Sequence, residues 1–455
     1  MPVSSLERAR SLLRQFNPSH RFAELAENTE IPATLRHDLA RIDPNLLEKI
    51  FRQFQAEQKT PLPKILPLTQ RLERLETGRW FGFSRKAEAY IASGKLGLLL
   101  LAGGMGSRLG HDLPKGTFPI APVSGKSLFQ IHFEKLCRLW KHYGNPLPLF
   151  VMTSRVTHEE TVEYLAQNRY FGYPASSITI FPQGEMPALC AEDGTLFLAS
   201  PQRLFFGPDG HGGLISALLE HGMYERMKSL GVETLQTFHV DNPLVPVGQE
   251  QLVDFHLRAE SEMTSVAVEK MEPLERVGNL VQREDGRVCV VEYLDFPESL
   301  AVQRDAAGKL LFWAGSIGIH LIQVDFLRRM ALQMREKDDF LPFHVPLKKI
   351  TTVDGELFAI KPERFIFDLL PYARNPVVVE ASREEVFTTL KKEPEPVRED
   401  LSRLYRSWFS RAGVSVPQEG WVEISPRDAL CQDDLRRLRE KGENIPWLWK
   451  KRGEM

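Results

Sequence analysis

The sequence has 455 residues, of which 42% are hydrophobic, 26% charged and 9% aromatic, the composition of an ordinary globular protein. Lys and Arg total 58 against 60 Asp and Glu, a formal net charge of −2 that provides no global positive field for nucleic acid or anionic membrane. Gly and Pro number 31 each, which excludes collagen-like and low-complexity chains. Any polyanion that the protein binds must therefore be held by a local site.

The chain shows no targeting or membrane signal. Residues 1–10 contain no apolar signal-peptide core, and the longest apolar run, 98–102, falls far short of the roughly 18 residues that a membrane span needs. The cysteines are scattered without metal-ligand spacing, which favours reduced thiols. We therefore expect a cytoplasmic protein that binds neither membrane nor nucleic acid and has no obligate protein partner. The four cysteines are Cys137, Cys190, Cys289 and Cys431.

The chain begins with a polar, helical region over residues 1–85. One amphipathic helix is predicted from the spacing of Ala9, Leu13 and Phe16, and a second helix is predicted to begin at Pro44. The pattern in this region predicts helix faces that pack against other elements, and no catalytic or binding residues are predicted here.

From residue 97 onwards, short apolar runs alternate with helical patterns. This alternation predicts an α/β fold built on a doubly wound, mixed but mainly parallel sheet, whose ligands bind at the carboxyl ends of the strands. A charged stretch at 391–396 predicts the start of a small C-terminal domain, so the chain divides into residues 1–85, 86–392 and 393–455. The predicted strands are 97–101, 147–153, 177–181 and 234–240, and the predicted helices are 159–167, 212–230 and 433–441.

The strongest local signal is the segment 101–115. Gly103, Gly104 and Gly106 follow a predicted strand there, and Arg108 and Lys115 add positive charge. Glycines let backbone N–H groups approach a phosphate because no Cβ stands in the way. The combination favours a phosphate-binding loop over a plain strand–helix turn.

Two widespread phosphate-binding motifs do not fit the sequence. The segment 125–127 ends like a Walker A motif, but Ile120 occupies the place of the first glycine of that motif. A dinucleotide fingerprint starting at Gly104 would require glycine where Leu109 stands. The chain also lacks H-E-x-x-H and G-x-S-x-G, so kinases, oxidoreductases, zincins and serine hydrolases lose support.

The segment 101–115 resembles the signature of the UTP:sugar-1-phosphate uridylyltransferases, in particular the eukaryotic-type UDP-N-acetylglucosamine pyrophosphorylases. The resemblance extends over residues 97–392 and implies a Rossmann-like nucleotidyltransferase core, UTP and a hexose 1-phosphate as substrates, and Mg²⁺ as cofactor. The other segments that resemble the blocks of this family, in the same order and at similar spacing, are 152–154, 171–172, 181–187, 208–214, 240–242, 291–293, 361–368 and 383–391.

The resemblance implies a UTP site at the strand ends. Asp241 follows an apolar strand, where its carboxylate would hold Mg²⁺ against the α-phosphate. Gln183 matches the uracil-reading glutamine of the family, whose amide offers both a donor and an acceptor. Gly210 matches a position where backbone comes close to the nucleotide. The full UTP set is Leu101, Ala102, Gly103, Gly104, Lys115, Gln183, Gly210, Asp241 and Lys361.

Catalysis is expected to depend on charge neutralisation, because nucleotidyl transfer needs positioning more than covalent help. A sugar phosphate is largely dianionic near pH 7, so its oxygen needs no general base. The predicted catalytic residues, by resemblance, are the cations Arg108, Lys115, Lys361 and Lys391, with Arg108 following the departing pyrophosphate. Lys392 competes with Lys391 for its role, and lysines are usually solvated surface charges.

The predicted sugar site contains departures from the family pattern. Glu292 and Tyr293 match contacts to the sugar hydroxyls, while Phe365 and Phe367 match aromatics around the N-acetyl group, although their spacing equally fits a core strand. The remaining two sugar residues, His211 and Ser316, stand where the acetylglucosamine enzymes carry asparagine, and His211 resembles the UDP-glucose enzymes. The block pattern favours N-acetylglucosamine 1-phosphate, whereas His211 favours glucose 1-phosphate.

Two interpretations without catalysis stay open at this point. A nucleotide-sugar sensor that binds without turnover is supported only by the departures at His211 and Ser316. A structural protein whose glycine loop is merely a turn would show no stabilisation by nucleotide.

Overall fold

The computed structural model describes residues 5–16, 31–57, 64–69, 72–337, 340–353 and 355–452. The chain forms two compact units. The smaller unit contains Met1–Leu62, Gln183–Ala217 and Ala331–Asp368, and the larger unit contains Pro63–Pro182, Leu218–Met330 and Leu369–Met455. Both units combine separate stretches of chain, and the predicted domain boundaries near residues 85 and 392 stay a prediction.

Local capping chemistry sets both ends of the helix Leu128–Tyr143. The hydroxyl oxygen of Ser127 accepts the Gln130 N–H at 3.1 Å and caps the helix that starts at Leu128. The same helix ends at Gly144, whose φ of 75° is left-handed. In chain order the helices are α1 Ser5–Gln15, α2 Ala33–Ala40, α3 Pro44–Glu57, α4 Arg85–Ala92, α5 Leu128–Tyr143, α6 His158–Gln167, α7 Leu214–Glu220, α8 Met223–Ser229, α9 Glu250–Arg258, α10 Glu298–Ala301, α11 Val324–Glu336, α12 Arg383–Val386, α13 Glu395–Arg411 and α14 Gln432–Glu440.

The single helix predicted over 212–230 is wrong. A 3-10 turn, His211–Gly213, leads into α7, and Gly222 separates α7 from α8. Gly222 has a φ of 66°, a left-handed conformation that interrupts the helical hydrogen bonds. The other predicted helices are present as α1, α3, α6 and α14. No helix within the described residues is both long enough and apolar enough to cross a bilayer.

The strands fall into one large sheet and several small ones. Each strand predicted from sequence is present with its ends within two residues of the predicted ones. In chain order the strands are β1 Ile65–Leu66, β2 Leu72–Arg74, β3 Leu96–Leu101, β4 Leu149–Thr153, β5 Ile178–Pro182, β6 Glu185–Pro187, β7 Leu189–Cys190, β8 Leu198–Ser200, β9 Arg203–Leu204, β10 Phe206–Pro208, β11 Thr234–His239, β12 Met263–Glu269, β13 Gly278–Arg283, β14 Val288–Val291, β15 Ala314–Gln323, β16 Leu347–Thr352, β17 Gly355–Ile360, β18 Val377–Ala381, β19 Trp421–Ile424 and β20 Trp447–Lys450.

The central sheet of the larger unit has the strand order β2-β18-β12-β15-β11-β3-β4-β5. β15 runs antiparallel to its neighbours β12 and β11, and the other pairs along this path are parallel. This arrangement confirms the predicted mixed, mainly parallel α/β sheet. Because β11 and β3 are parallel, with His239 opposite Leu101, the loops that follow these two strands leave the same edge of the sheet.

The core of the larger unit surrounds this sheet. Every residue of β3 is buried, as expected for a strand covered on both faces. The residues after 393 pack into the same core, to which α13 contributes Leu401 and Phe409 and β19 contributes Val422. Glu423 fixes this C-terminal segment further, since its carboxylate accepts the N–H groups of Val123 and Ser124, each at 2.9 Å.

The smaller unit packs α1, α2 and α3 against short strands. Leu13, Leu35 and Ile50 form its core together with Leu189 of β7 and Ile360 of β17. β6 pairs antiparallel with β10, and β16, β17 and β7 form a three-stranded sheet. These pairings fix the segments that carry the predicted site residues of this unit.

Candidate active site

The segment 101–115 forms a closed loop after β3. The N–H of Gly106 donates to the Leu113 carbonyl at 2.9 Å, and the N–H of Lys115 donates to the Gly104 carbonyl at 2.9 Å. Leu101 and Ala102 are buried, whereas Gly104 and Arg108 are exposed. The loop is therefore closed by backbone hydrogen bonds, while Gly104 in its glycine-rich turn is exposed to solvent.

Hydrogen bonds of a histidine and a threonine also stabilise this loop. The Thr117 hydroxyl donates to the Pro114 carbonyl at 2.8 Å, so its oxygen accepts from Nε2 of His111 at 2.7 Å. A Cβ on Gly106 would lie 2.7 Å from the His111 carbonyl oxygen, which explains glycine at that position. His111 and Thr117 were not predicted, because nothing in their spacing forms a known motif.

Lys115 and Asp241 come together, although 126 positions separate them in the sequence. The Lys115 ammonium lies 3.2 Å from Oδ2 of Asp241 and donates to the Leu390 carbonyl at 3.3 Å. The N–H of Leu390 in turn donates to the backbone carbonyl of Asp241 at 3.1 Å. Both charged side chains keep about a fifth of their surface exposed, 20% for Lys115 and 24% for Asp241. The structure thus joins the glycine loop, the end of β11 and the chain just before Lys391.

Arg108 and Lys391 are not drawn into this contact. Both side chains are exposed, as is the competing Lys392. Within the part of the chain that the structure describes, no hydrogen bond or ion pair links Arg108 or Lys391 to Lys115 or Asp241. Their predicted roles stay predictions.

Buried polar side chains of α5 hold the loop that carries Asp241. Nε2 of His132 donates to the Val240 carbonyl at 2.9 Å, and the Lys135 ammonium donates to the Val245 carbonyl at 2.8 Å. Burial lowers the pKa of His132 to about 3, so this imidazole is neutral near pH 7. Burial also lowers the pKa of Lys135 to about 7. Sequence reasoning missed both residues because buried polar groups on an apolar helix face carry no functional pattern.

The segment 125–127 has a structural role. Ser127 caps α5, and the Lys126 ammonium pairs with Glu134 at 2.8 Å. The Lys126 and Glu134 side chains are 17% and 4% exposed. Lys126 therefore pairs with a carboxylate of its own helix region, in agreement with the absence of a Walker A motif at this segment.

Glu292 and Ser316 of the predicted sugar site lie close to each other. Gly278 of β13 pairs with Ser316 of β15, and a Cβ on Gly278 would lie 3.4 Å from Oε1 of Glu292 and 3.8 Å from Cβ of Ser316. Tyr293 is 37% exposed. The same Cβ would lie 2.7 Å from Cγ1 of Val290, so glycine at position 278 makes room for the valine, while Glu292 and Ser316 both lie at ordinary contact distance from this position.

Gln183 is held by its neighbours in the smaller unit. Its Nε2 donates to Oδ1 of Asp209 at 3.2 Å and to the Gly210 carbonyl at 3.3 Å. Gly210 has a φ of 83°, and a Cβ there would lie 2.4 Å from the carbonyl oxygen of Arg364. Only glycine meets both demands, so the close packing against Arg364 explains glycine at position 210. The predicted approach of its backbone to the nucleotide stays a prediction.

His211 joins an aromatic cluster with Phe365 and Phe367. The rings of His211 and Phe365 stack at 4.9 Å with an interplanar angle of 22°, and Phe367 meets His211 edge-on at 5.6 Å. The N–H of Ile366 donates to Nδ1 of His211 at 3.1 Å, so the neutral imidazole carries its proton on Nε2. Residues 366–372 form a 3-10 helix, so the alternative of a core strand at Phe365 and Phe367 is wrong.

His344 extends the aromatic cluster through its own contact with Phe365. Its ring lies 4.3 Å from that of Phe365, and its Nε2 lies 2.9 Å from Oδ2 of Asp368. Phe365 thus contacts two imidazoles. His344 and Asp368 were missed because 24 residues separate them and no local pattern pairs them.

Lys361 lies near a carboxylate that the sequence did not single out. Its ammonium is 3.9 Å from Oε1 of Glu363, and the same oxygen lies 2.6 Å from the Lys348 ammonium. In this unit the structure therefore gathers Gln183, Gly210, His211, Lys361, Phe365 and Phe367 around the segments 209–213 and 361–368.

A family model described as UTP–glucose-1-phosphate uridylyltransferase matches residues 48–393 of the chain. The chain belongs to this family. UDP-N-acetylglucosamine diphosphorylase 2 of Arabidopsis thaliana is 32% identical over 436 residues, which cover 89% of this chain and 86% of the relative. The UDP-N-acetylglucosamine pyrophosphorylase of Saccharomyces cerevisiae is 32% identical, with 79% of this chain and 80% of the relative covered.

Solved structures agree with this uridylyltransferase in fold. The crystal structure of the uridine diphosphate N-acetylglucosamine pyrophosphorylase from Trypanosoma brucei, in complex with an inhibitor, has a TM-score of 0.78. It covers 97% of this chain and 96% of its own, at 23% sequence identity. The family resemblance read from the sequence is confirmed, and the protein is an enzyme, a nucleotidyltransferase of the uridylyltransferase class.

Proposed function

We propose that this uridylyltransferase converts UTP and N-acetylglucosamine 1-phosphate to UDP-N-acetylglucosamine and pyrophosphate. The observation that carries the choice of sugar is the pair of aromatic side chains Phe365 and Phe367, whose ring centroids lie 5.1 Å apart. An aromatic wall of this kind favours the methyl group of an N-acetyl substituent, since burying it removes apolar surface from water. The two relatives described above, both named for N-acetylglucosamine, support the same choice.

The reaction itself requires no proton transfer by the protein. An oxygen of the sugar phosphate attacks the α-phosphorus of UTP, and the bond to the bridging oxygen breaks, so that pyrophosphate leaves. The nucleophile is already largely dianionic near pH 7, its second pKa being about 6. The enzyme therefore needs mainly to bring together two anionic substrates, UTP and the sugar phosphate, and to neutralise their charge.

Cations are proposed to do most of that work. Lys115 is the last residue of the glycine loop, and Lys361 directly follows β17. Both would contact UTP phosphates. Arg108 and Lys391 are exposed and would contact the departing pyrophosphate and the sugar phosphate. The N–H of Ala102 donates to the Met152 carbonyl at 2.7 Å, so the backbone N–H groups of Gly103 and Gly104 would complete the phosphate cradle.

Magnesium is part of the proposal, with Asp241 as its protein ligand. Among the described residues there is no cluster of three or more His, Cys, Asp or Glu side chains that could hold a metal. A single partly exposed carboxylate fits Mg²⁺, which favours one or two carboxylates plus phosphate oxygens and water. When bound, Mg²⁺ would neutralise charge at the α-phosphate. Asp241 would orient towards it while Lys115 holds the other side of the carboxylate.

Base and sugar recognition fall to the remaining residues. Gln183 would read the uracil edge, with Asp209 and the Gly210 carbonyl fixing its amide. Glu292, Tyr293 and Ser316 would contact sugar hydroxyls. A cytoplasmic location also belongs to the proposal, because all four cysteines are free thiols.

Glucose 1-phosphate is the second candidate substrate, and His211 is the observation that favours it. The Nδ1 atom of His211 accepts from Ile366, so the ring presents an N–H on its other side, where the acetylglucosamine enzymes carry an asparagine amide. Ser316 removes a second amide from the sugar site. Both changes alter the hydrogen bonds available to the hexose.

A pyrophosphate-release assay decides between the sugars. UTP and Mg²⁺ are supplied with N-acetylglucosamine, N-acetylgalactosamine or glucose 1-phosphate, and kcat/KM is compared. We expect the highest value with N-acetylglucosamine 1-phosphate. A higher value with glucose 1-phosphate would establish the alternative. Binding of UDP-N-acetylglucosamine by calorimetry without pyrophosphate release from any of the three sugars would contradict the proposal and favour a sensor.

The variant His211→Asn tests the sugar site directly. If the imidazole contributes to the choice of hexose, the ratio of kcat/KM for the acetylated sugar to that for glucose rises, while the KM for UTP stays constant. If kcat/KM falls equally for both sugars and the KM for UTP also changes, His211 supports the local fold rather than selecting the sugar.

A further inference from the structure

One face of α2 is hydrogen-bonded to the chain just before β10. The Thr34 hydroxyl donates to the Gln202 carbonyl at 2.9 Å. Oδ2 of Asp38, a fully buried side chain, accepts from Nε of Arg203 at 2.9 Å and from the N–H of Leu204 at 3.0 Å. Because Thr34 and Asp38 are four residues apart, they lie on the same face of the helix. This face of α2 therefore holds β9 and the turn that precedes it.

Arg41, the residue after α2, extends this contact to both strands of the β6–β10 pair. Its Nη2 lies 2.9 Å from Oε2 of Glu185 in β6, and its guanidinium carbon lies 4.1 Å from the ring centroid of Phe206 in β10. The side chains of Arg41 and Glu185 are only 22% and 14% exposed. Partial burial strengthens an ion pair and a cation–π contact relative to the same contacts in water. Arg41 therefore holds the two strands together.

The register places both partners of Arg41 on one face of the β6–β10 pair. Glu185 is opposite Pro208, and Phe206 is opposite Pro187. Residues directly opposite each other point to the same face, and so do alternate residues along a strand. Glu185 and Phe206 consequently face the same way, towards Arg41.

The other face of the β6–β10 pair lies against Lys361. Gly207 stands between Phe206 and Pro208 and therefore belongs to that other face. A Cβ on Gly207 would overlap Cε of Lys361 and lie 3.0 Å from its Nζ, so the stem of this lysine packs directly on the strand. The two strands consequently separate Arg41 on one side from Lys361 on the other.

The ends of the same two strands carry the predicted uracil contacts. Gln183 lies two residues before the start of β6, while Asp209 and Gly210 directly follow β10. The Gln183 amide donates to Asp209 and to the Gly210 carbonyl, so the two strands stay connected beyond their last paired residues. A shift of β6 against β10 would therefore displace Gln183 and Lys361 relative to each other.

We propose that Arg41 is a positioning residue for UTP, which holds β6 against β10 and so fixes Gln183 for the base and Lys361 for the phosphates. The inference rests on the proposed function, in which Gln183 and Lys361 contact UTP. It gives the N-terminal region, where the sequence predicts no binding residues, a part in nucleotide recognition.

The test uses five full-length proteins: wild type, Arg41→Met, Glu185→Gln, the double variant Arg41→Met/Glu185→Gln and the control Arg36→Met. Arg36 is an exposed arginine of the same helix, so its variant removes the same charge from α2. Calorimetry measures the affinity for UTP and for CTP, whose bases differ in the edge that an amide reads. Pyrophosphate release gives kcat/KM for both nucleotides with N-acetylglucosamine 1-phosphate and Mg²⁺, and thermal unfolding reports on the fold.

Arg41→Met is expected to lower UTP affinity and kcat/KM by about tenfold, the effect of losing one charge-assisted hydrogen bond. The preference for UTP over CTP is expected to fall by about fivefold, because Gln183 loses its fixed position. Glu185→Gln is expected to act in the same direction, and the double variant to bind UTP about as Arg41→Met does, since the two side chains act as one pair. Arg36→Met is expected to match wild type.

Three results would overturn the inference: Arg41→Met behaving like Arg36→Met, an equal loss for UTP and CTP, or losses that add in the double variant. An equal loss for both nucleotides is what a purely structural role of Arg41 produces. If Arg41→Met is too unstable to measure, the nucleotide preference of Glu185→Gln decides, because glutamine keeps the shape of the glutamate.

The proposed function can fail separately from this inference. A wild-type protein that binds UTP but releases no pyrophosphate with any sugar phosphate contradicts the proposed function alone, and the UTP and CTP affinities of the variants then decide on Arg41. A wild-type protein that binds no UTP overturns both.

Discussion

Replacing Asp241 with asparagine should separate catalysis from folding. The substitution keeps the size of the side chain and removes its negative charge, and with it the ion pair that joins Asp241 to Lys115 at 3.2 Å. Lys115 keeps its hydrogen bond to the Leu390 carbonyl at 3.3 Å, so its ammonium retains a partner. Because both side chains are about a fifth exposed, solvent already screens the pair.

The expected magnitudes follow from these contacts. Loss of a partly exposed ion pair costs about 1 kcal/mol of unfolding free energy, which for a chain of this size lowers Tm by only about 1–3 °C. The proposed metal contact acts on the reacting phosphate, where losing one preorganised electrostatic group costs about 3–4 kcal/mol of transition-state stabilisation. Such a loss corresponds to a fall in kcat/KM of about 10²–10³.

The assay is pyrophosphate release as a function of Mg²⁺ concentration, paired with thermal unfolding. Asp254→Asn is the matched control, because it breaks a comparable pair, with Arg258 at 2.7 Å within α9, away from the proposed site. We expect the control to keep full activity at a similarly small change in Tm. If Asp241→Asn keeps more than about a tenth of the wild-type kcat/KM, the role of Asp241 as metal ligand is refuted.

Two further predictions concern local strain and acid stability. Gly210→Ala places a Cβ at a φ of 83° and 2.4 Å from a backbone oxygen, so we expect the free energy of unfolding to fall by at least about 2 kcal/mol and the affinity for UTP to weaken. Denaturant unfolding measures the first effect and calorimetry the second. A variant with unchanged stability and UTP affinity would contradict this geometry. Burial raises the pKa of Glu262, but hydrogen bonds from Arg329 and Arg374 outweigh it and lower the pKa to about 2. Since this folded pKa lies below the usual carboxyl value near 4.5, the stabilisation is present above pH 4.5 and is lost as the pH falls towards 2. Glu262→Gln should therefore destabilise the protein at pH 7 and much less at pH 2.5, and an equal difference at both values would refute this assignment.

The sequence was most informative where local pattern and final structure coincide. The strands β3, β4, β5 and β11 are short apolar runs bounded by turn residues, and such runs predict strands of a parallel sheet whatever their partners are. β3, β4 and β11 are buried, whereas β5, at the end of the strand order, is mostly half-buried. The glycine loop after β3 is equally local. The helix over 212–230 failed because Gly222 accepts a left-handed conformation, which the apolar periodicity around it does not reveal.

Contacts between distant segments lay beyond sequence reasoning. The pairs His344–Asp368, Lys348–Glu363 and His111–Thr117 depend on backbone pairing and loop closure, and each residue alone resembles an ordinary surface or loop side chain. The antiparallel direction of β15 is similar, since apolar alternation specifies burial but not the direction of the neighbouring strand.

The sequence by itself determined the class of protein: a glycine-rich loop with fixed cations, a carboxylate at a strand end and a series of blocks that identify a uridylyltransferase. These features are local, because phosphate binding depends on backbone conformation and charge within a few residues. The tertiary structure alone decided which groups act on one another. It joined Lys115 to Asp241, brought two histidines into contact with Phe365 and placed Glu363 closer to Lys348 than to Lys361. Those choices depend on sheet register and hairpin pairing, which bring together residues that are far apart in the chain and whose electrostatic interactions decline steeply with distance.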